Sequence, residues 1–281
     1  MDQSLNLNST TSWLNIKFQK YFAVAKVNYR TYTSYLGDLT ARGAVVVIRV
    51  WIFTALYTAT YATVGARQIN GFTVPMVVWT LGLAQSMIYG SGGQFVTKRV
   101  AEDVSSGNIA HNLTKPYSYI LYNCFLNYGR ISATVFGNVV LAVVALLILV
   151  GPISFSLPGF FAAIRLFFLG LTLNTLMSFL IGLLAFWTED VTPFRWIYNK
   201  AQIIFGGVIL PLALFPPKLG HIAEYIPFSQ LYYPAARILI SFDFHIFVRN
   251  LIFQLAWILI MTLLCMFLFK KAAKNISING G

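Results

Sequence analysis

Six long apolar segments constrain this chain more than any other feature of its sequence. They cover residues 43–64, 72–96, 122–150, 159–187, 197–215 and 244–269, and each comes close to or exceeds the roughly 20 residues that a helix needs to cross a bilayer. Hydrophobic residues make up 58% of the chain and charged residues 10%, whereas soluble domains carry about 25% charged residues. The sequence therefore predicts an all-α integral membrane protein with six transmembrane helices.

The basic residues predict the orientation of these helices, because cytosolic loops carry an excess of lysine and arginine. With the N-terminus in the cytosol, thirteen basic residues between the spans fall on the cytosolic side and three, Arg67, Lys218 and Arg237, fall outside. Both termini are therefore predicted to be cytosolic. The net charge of +12 reflects this topology and contact with anionic lipids rather than nucleic-acid binding.

The spans define four regions of the chain. Residues 1–12 are polar and predict a disordered tail, and residues 271–281 form a basic cytosolic tail. Residues 13–42 interleave aromatic side chains with lysines, which predicts an interfacial amphipathic helix before the transmembrane domain of residues 43–270. Two interpretations of this helix stay open: a general basic membrane anchor, or an elbow helix that also contacts a cytosolic partner.

The loop between the second and third spans carries the most distinctive charge pattern. Val96, Val100 and Val104 recur at i, i+4 and i+8, which places them on one face of a short helix. The other side of this helix carries four charged residues: Lys98, Arg99, Glu102 and Asp103. Gly107 stands where the C-terminal cap of a helix favours a left-handed residue. A compact charged helix on a short loop is typical of a contact point for a soluble partner.

The segment after the fifth span is rich in proline. Pro211 and the pair Pro216–Pro217 end the span early. An amphipathic stripe follows, which predicts a short helix lying at the outer membrane face. The stripe consists of Leu219, Ile222, Ala223 and Ile226.

Sequence motifs for catalysis or metal binding are missing. The chain has no Gly-x-x-x-x-Gly-Lys-Ser/Thr loop that would bind ATP phosphates. Its three histidines are distributed over both predicted sides of the membrane and cannot form one zinc site. Cys124 and Cys265 are predicted to be small buried apolar residues. We therefore expect this chain itself to bind no cofactor or metal.

Three features together resemble the ABC-2 type transporter permeases. The loop from Glu102-Asp-Val-Ser-Ser-Gly to Lys115-Pro116 is similar to the loop after the second span of those permeases. The pattern Gly207-x-x-x-Pro211-x-x-x-Phe-Pro216, followed by Ile226-Pro-Phe228 and Pro234, resembles their external re-entrant region. The six-span plan with an N-terminal elbow helix is the third feature.

The resemblance implies the membrane subunit of a bacterial ABC exporter with the type V fold, located in the cytoplasmic membrane. It implies a second permease, either the same chain or a paired different one, and separate ATPase subunits that bind ATP and Mg²⁺. It also implies a coupling helix after the second span. The residues matching it are Lys98, Arg99, Glu102, Asp103, Gly107, Asn108 and His111.

The same resemblance suggests a substrate path and an outer gate. Thr54, Thr58 and Tyr61 recur at helical spacing, and together with Gln85 and Gln202 they are the candidate path residues. The candidate gate residues are Pro211, Phe215, Phe228, Tyr232 and Tyr233. A largely apolar, aromatic path favours a hydrophobic, drug-like or lipid-like substrate that is moved out of the cell.

Two other classes of function stay open at this point. An integral-membrane enzyme of lipid modification would need a catalytic cluster, for which Glu189–Asp190 is the only acidic pair besides Glu102–Asp103. A passive channel or scramblase would need no coupling loop.

Overall fold

The computed structural model describes residues 4–33, 37–91 and 94–279, with side chains at 19–33, 44–91, 95–212, 214–216 and 218–272. Within these residues the chain forms eleven α-helices. They are α1 (Ser4–Thr33), α2 (Gly37–Val64), α3 (Val74–Ser91), α4 (Gln94–Ser105), α5 (Asn108–Leu113), α6 (Tyr119–Leu149), α7 (Leu157–Leu183), α8 (Thr192–Phe205), α9 (Pro217–Tyr225), α10 (Tyr233–Ile240) and α11 (Phe244–Asn279).

Four helices are long and apolar enough to cross a membrane. These stretches are Ala44–Val64, Tyr119–Leu149, Leu157–Phe186 and Phe244–Ala272. They correspond to the first, third, fourth and sixth predicted spans, so the all-helical membrane architecture is confirmed. The second and fifth predicted spans do not appear among these four helices.

The described residues of the predicted second span, 72–96, include α3 and the beginning of α4. α3 ends at Ser91 and α4 begins at Gln94, while Gly92 and Gly93 lie outside the described residues. Thirteen of the 18 residues of α3 are buried. Because α3 faces protein rather than lipid, it tolerates polar residues such as Thr80 and Ser86 in its buried interior.

The prediction that the helix of the fifth span, 197–215, continues to residue 215 is wrong. α8 stops at Phe205, and Gly207 follows with a left-handed φ of 64°. An added Cβ at Gly207 would lie 2.7 Å from the ring of Tyr233, so only glycine fits this turn without a shift. The chain resumes a buried helix only at α10, beyond the re-entrant segment of residues 206–232.

The re-entrant segment packs along α11, and its helix α9 forms between the prolines as predicted, with Leu219 and Ile222 exposed. The position of α9 at the outer membrane face stays a prediction. The carbonyl of Tyr225 at the end of α9 accepts a hydrogen bond of 2.9 Å from Trp257 Nε1. Trp257 lies thirteen residues after the start of α11, about 20 Å along that helix. Gln254 of α11 also donates to the Gln230 carbonyl at 2.7 Å.

The N-terminal helix α1 packs against the beginning of α6. The Ser118 backbone N–H donates to the Tyr21 hydroxyl at 2.9 Å, and Asn28 Nδ2 donates to the Leu126 carbonyl at 2.6 Å. The basic side chains Lys20 and Lys26 stay exposed. The structure differs from the predicted tail at residues 1–12 because α1 already begins at Ser4. At the other end α11 continues to Asn279 through most of the predicted C-terminal tail.

Candidate docking site formed by α4, α5 and the 184–192 turn

The buried face of α4 fixes this helix to the bundle. Val96 and Val100 are 1% and 0% exposed and share a hydrophobic cluster with the partly buried Val104, as their spacing predicts. Thr97 Oγ1 donates a hydrogen bond of 2.9 Å to the Ser178 carbonyl of α7. An added Cβ at Gly182 would lie 2.7 Å from Val100 Cβ. α4 therefore lies directly against α7.

Gly107 turns the chain between α4 and α5. Its φ of 74° is left-handed, the conformation that the sequence predicts at this position and that glycine adopts at little cost. The next helix, α5, buries Ile109 at 2% exposure in the same hydrophobic cluster as Val96. α4 and α5 thus form one hairpin, the α4–α5 hairpin, with a buried side and an outer side.

Asp103 belongs to the inner side of this hairpin. One of its carboxylate oxygens accepts hydrogen bonds from the Tyr119 hydroxyl at 2.5 Å and from Asn112 Nδ2 at 3.3 Å. The Tyr119 ring stacks on Phe269 of α11, with 5.5 Å between ring centroids. Asp103 therefore joins α4 to α5, α6 and α11, and its carboxylate is engaged within the chain.

The remaining predicted coupling residues divide by exposure. Arg99 is half-buried, and its guanidinium carbon lies 5.6 Å from the ring centroid of Tyr122. The other five are exposed on the outer side of the hairpin: Lys98, Glu102, Gly107, Asn108 and His111. This outer side carries both signs of charge.

A cleft of about 730 Å³ opens beside α4. Its second wall is the turn at residues 184–192 together with the beginning of α8, which bring Glu189, Asp190 and Arg195 next to Lys98 and Glu102. Sequence reasoning considered Glu189–Asp190 only as a possible catalytic pair and missed this position. The signal was present in the predicted topology, because both loops fall on the same predicted side of the membrane.

Asp190 also holds the beginning of α8 in place. Its carboxylate accepts a hydrogen bond of 2.8 Å from the Thr192 backbone N–H. Hydrogen bonds from the Thr192 side chain and backbone hold the pKa of the Asp190 carboxyl below its usual value. The cleft wall therefore carries a carboxylate that stays ionised at neutral pH.

A comparison with known families shows which family the chain belongs to. A family model described as "ABC-2 family transporter protein" matches residues 46–280, more than four fifths of the chain. The chain belongs to the ABC-2 transporter family. It is therefore an ABC-2 type permease, a multi-pass membrane protein. No curated protein matches it.

The predicted path residues of this ABC-2 permease do not line one common cavity. Gln202 Nε2 donates to Asn174 Oδ1 at 2.6 Å, in a buried contact between α8 and α7. The Tyr61 hydroxyl donates to the Phe72 carbonyl at 2.9 Å. Thr54 donates within its own helix, and Thr58 is exposed. Of these five, Gln85 lines a groove between α2 and α3.

The predicted gate residues of the permease pack inside the chain. Tyr232 and Tyr233 are 0% and 2% exposed. Phe228 lies against Tyr198 of α8, with 5.8 Å between ring centroids, while Phe215 packs in a separate cluster with Tyr233. Pro211 is buried close to the beginning of the short turn that leads to Phe215. These aromatic residues hold the re-entrant segment in the bundle.

Proposed function

We propose that this chain is the membrane-spanning permease subunit of an ATP-binding-cassette exporter in the bacterial cytoplasmic membrane. Membership of the ABC-2 transporter family is the observation that carries the proposal. In this proposal a separate ATPase subunit binds ATP and Mg²⁺, and this chain converts its movement into transport.

The proposed topology has six crossings with both termini in the cytosol. The four long apolar helices each form one crossing, and the buried helix α3 forms another. The remaining crossing is shared by α8 and α10, which have 14 and 8 residues. At 1.5 Å per residue they measure about 21 and 12 Å, and together they approximate the hydrocarbon thickness of about 30 Å.

The ATPase docks on the outer side of the α4–α5 hairpin and in the adjacent cleft. Lys98 and Glu102 on one wall, with Glu189 on the other, offer exposed charges to a soluble partner. The hairpin is tied to α7 through Thr97 and to α6 through Asp103. A movement of the ATPase therefore displaces the hairpin and these helices together, as a rigid-body transition between two packed states.

A second permease, a copy of this chain or a paired different chain, faces this one across the substrate path. Exposed aromatic and aliphatic residues on α2 and α8 support this arrangement. They include Trp51 and Leu56 on α2, and Trp196 and Ile204 on α8. A path bounded by such side chains favours a hydrophobic, drug-like or lipid-like substrate, which the rocking of the two bundles moves outward.

Charge reversal at Lys98 tests the docking proposal. The chain is expressed together with its neighbouring genes, and any co-purified ATPase and its vanadate-sensitive ATP hydrolysis are measured. Lys98→Glu should lower the retained ATPase at least about tenfold, because replacing an attractive contact by a repulsive one costs 1.4 kcal/mol or more. Arg67→Glu is the matched control, since it makes the same charge change on the exposed loop between α2 and α3.

Equal retention of the ATPase by both variants would show that the hairpin is not part of the docking surface. Purification of the wild-type chain with no ATPase at all would refute the exporter proposal itself.

A further inference from the structure

A groove between α2 and α3 contains an unusual cation. The guanidinium carbon of Arg49 on α2 lies 3.6 Å from the ring centroid of Tyr89 on α3. This is stacking distance for a cation on an aromatic face. This contact holds the guanidinium against α3, whereas an arginine that only extends to the lipid head groups needs no such partner.

Arg49 differs from Arg130 and Arg249, two other arginines of the long apolar helices, while Arg165 of α7 is exposed. Arg130 donates to the Ser91 carbonyl at 2.6 Å, and Arg249 is paired with Glu224 at 3.2 Å. In the part of the chain that the structure describes, no carboxylate pairs with Arg49. A guanidinium in apolar surroundings is stabilised by an anion or by hydrogen-bond acceptors. Arg49 can therefore accept an external anion.

Gln85 supplies a second polar group on the wall of the same groove. Both Arg49 and Gln85 line the groove, whose enclosed space of about 10 Å³ is close to what a single hydroxyl or water-sized group needs. The Gln85 side chain is 8% exposed, and its Nε2 donates to the Val208 carbonyl at 3.2 Å. Its Oε1 is buried without a hydrogen-bond partner. A buried acceptor of this kind is costly unless a donor reaches it.

The remaining walls of the groove are apolar, and its depth corresponds to the lipid head-group boundary. Val46, Val50 and Phe53 line it beside the polar groups. Arg49 lies seven residues after Arg42, the last basic residue before the first predicted span, about 10 Å along the helix. Amphiphiles bury their apolar part about 5–10 Å below this boundary.

We propose that this groove binds the head group of an anionic amphiphile. An anionic oxygen of the head group pairs with the Arg49 guanidinium, and an O–H or N–H group of the same head donates to Gln85 Oε1. The acyl chain lies along Val46 and Phe53. The site is separate from the α4–α5 hairpin, so its occupancy does not depend on a bound ATPase.

Three phospholipids with the same acyl chains test the contacts of Arg49 and Gln85 separately. Phosphatidylglycerol has the anion and hydroxyl donors, phosphatidylmethanol has the anion without a head-group donor, and phosphatidylcholine has neither a net charge nor a donor. Each is titrated onto the purified full-length chain in neutral detergent, and bound lipid is counted by native mass spectrometry. The wild type should bind phosphatidylglycerol most tightly, at least about tenfold more tightly than phosphatidylcholine.

Substitutions assign each preference to its residue. Arg49→Gln should remove the preference for both anionic lipids over phosphatidylcholine. Gln85→Leu should make phosphatidylglycerol and phosphatidylmethanol bind equally while both still exceed phosphatidylcholine. Arg165→Gln is the matched control, because it removes an exposed arginine from another long apolar helix, α7. Arg49→Lys keeps the charge without the planar stack and should give an intermediate preference even where Arg49→Gln fails to fold.

The proposal is overturned if Arg49→Gln and Arg49→Lys keep the full preference, or if Arg165→Gln loses it equally. With the ATPase partner present, adding short-chain phosphatidylglycerol tests whether the bound amphiphile is a transported substrate or a resident lipid. Stimulated ATP hydrolysis identifies a transported amphiphile, and unchanged hydrolysis identifies a resident lipid; both outcomes support the site. A chain that binds no ATPase but shows the lipid preference refutes the exporter proposal alone.

Discussion

Replacing Gly170 by alanine should loosen the re-entrant segment. Gly170 of α7 lies against the backbone of Leu231, and an added Cβ would overlap the Leu231 carbonyl oxygen and lie 2.7 Å from its carbon. Carbon atoms in contact are normally about 3.5–4.0 Å apart, so the two backbones would have to separate by at least about 0.8 Å. Neither backbone can avoid this by a side-chain rotation.

The cost of Gly170→Ala follows from this separation. Overpacking of a buried site costs about 1–3 kcal/mol. Leu231 follows Gln230, whose carbonyl accepts the hydrogen bond from Gln254 at 2.7 Å. Losing that bond leaves a buried amide unsatisfied, at a further cost of about 1–3 kcal/mol. The expected loss in the free energy of unfolding is therefore about 2–6 kcal/mol.

Thermal unfolding of the purified protein in detergent measures this loss. For a chain of this size the midpoint should fall by at least about 4 °C. Gly220→Ala on α9 is the matched control, because its added Cβ would have no neighbour closer than 3.6 Å and alanine favours a helix over glycine. If Gly170→Ala unfolded at the same temperature as Gly220→Ala, the close packing of α7 on the re-entrant segment would be refuted.

Three further substitutions or reagents test separate parts of the structure. Asp103→Ala should lower the free energy of unfolding by about 1–3 kcal/mol, because it removes the acceptor for Tyr119 and Asn112; the exposed neighbour Glu102→Ala should have little effect in the same thermal assay. The pKa of Asp190 is lowered in the folded state, so its stabilisation is present above its unfolded pKa and is lost as the pH falls through its folded pKa. The stability difference between wild type and Asp190→Ala, measured from neutral to acidic pH, should therefore shrink in acid, and a difference that grew in acid would contradict this sign. Cys124 and Cys265 are both buried, so a maleimide should label neither thiol in the native protein and both after denaturation.

The sequence predicted the α4–α5 hairpin well because its signals are local. The valine spacing and the left-handed Gly107 both act within about fifteen residues, and the structure has them where the pattern places them. The inward hydrogen bonds of Asp103 could not be predicted from such local signals. Its partner Tyr119 lies sixteen residues further along the chain, and helical spacing alone assigned Asp103 to the charged outer face.

The C-terminal end of α3 receives hydrogen bonds from a distant helix. Thr134 of α6 donates to the Gly90 carbonyl at 2.6 Å, and Arg130 of α6 donates to the Ser91 carbonyl at 2.6 Å. These side chains bond to the last described backbone carbonyls of α3. A hydropathy pattern cannot identify such donors, because it contains no information on which side chains lie nearby.

The proposed topology, in which α8 and α10 share one crossing, has a consequence for how the chain is made. Neither helix has the roughly 20 residues that a translocon recognises as a membrane anchor, and exposed backbone groups are costly in lipid. The donors for the Gln230 and Tyr225 carbonyls come from α11, which is synthesised after both helices. We therefore expect this stretch to stay in an unassembled form until α11 has been synthesised, so that chains truncated before α11 become substrates for membrane proteases.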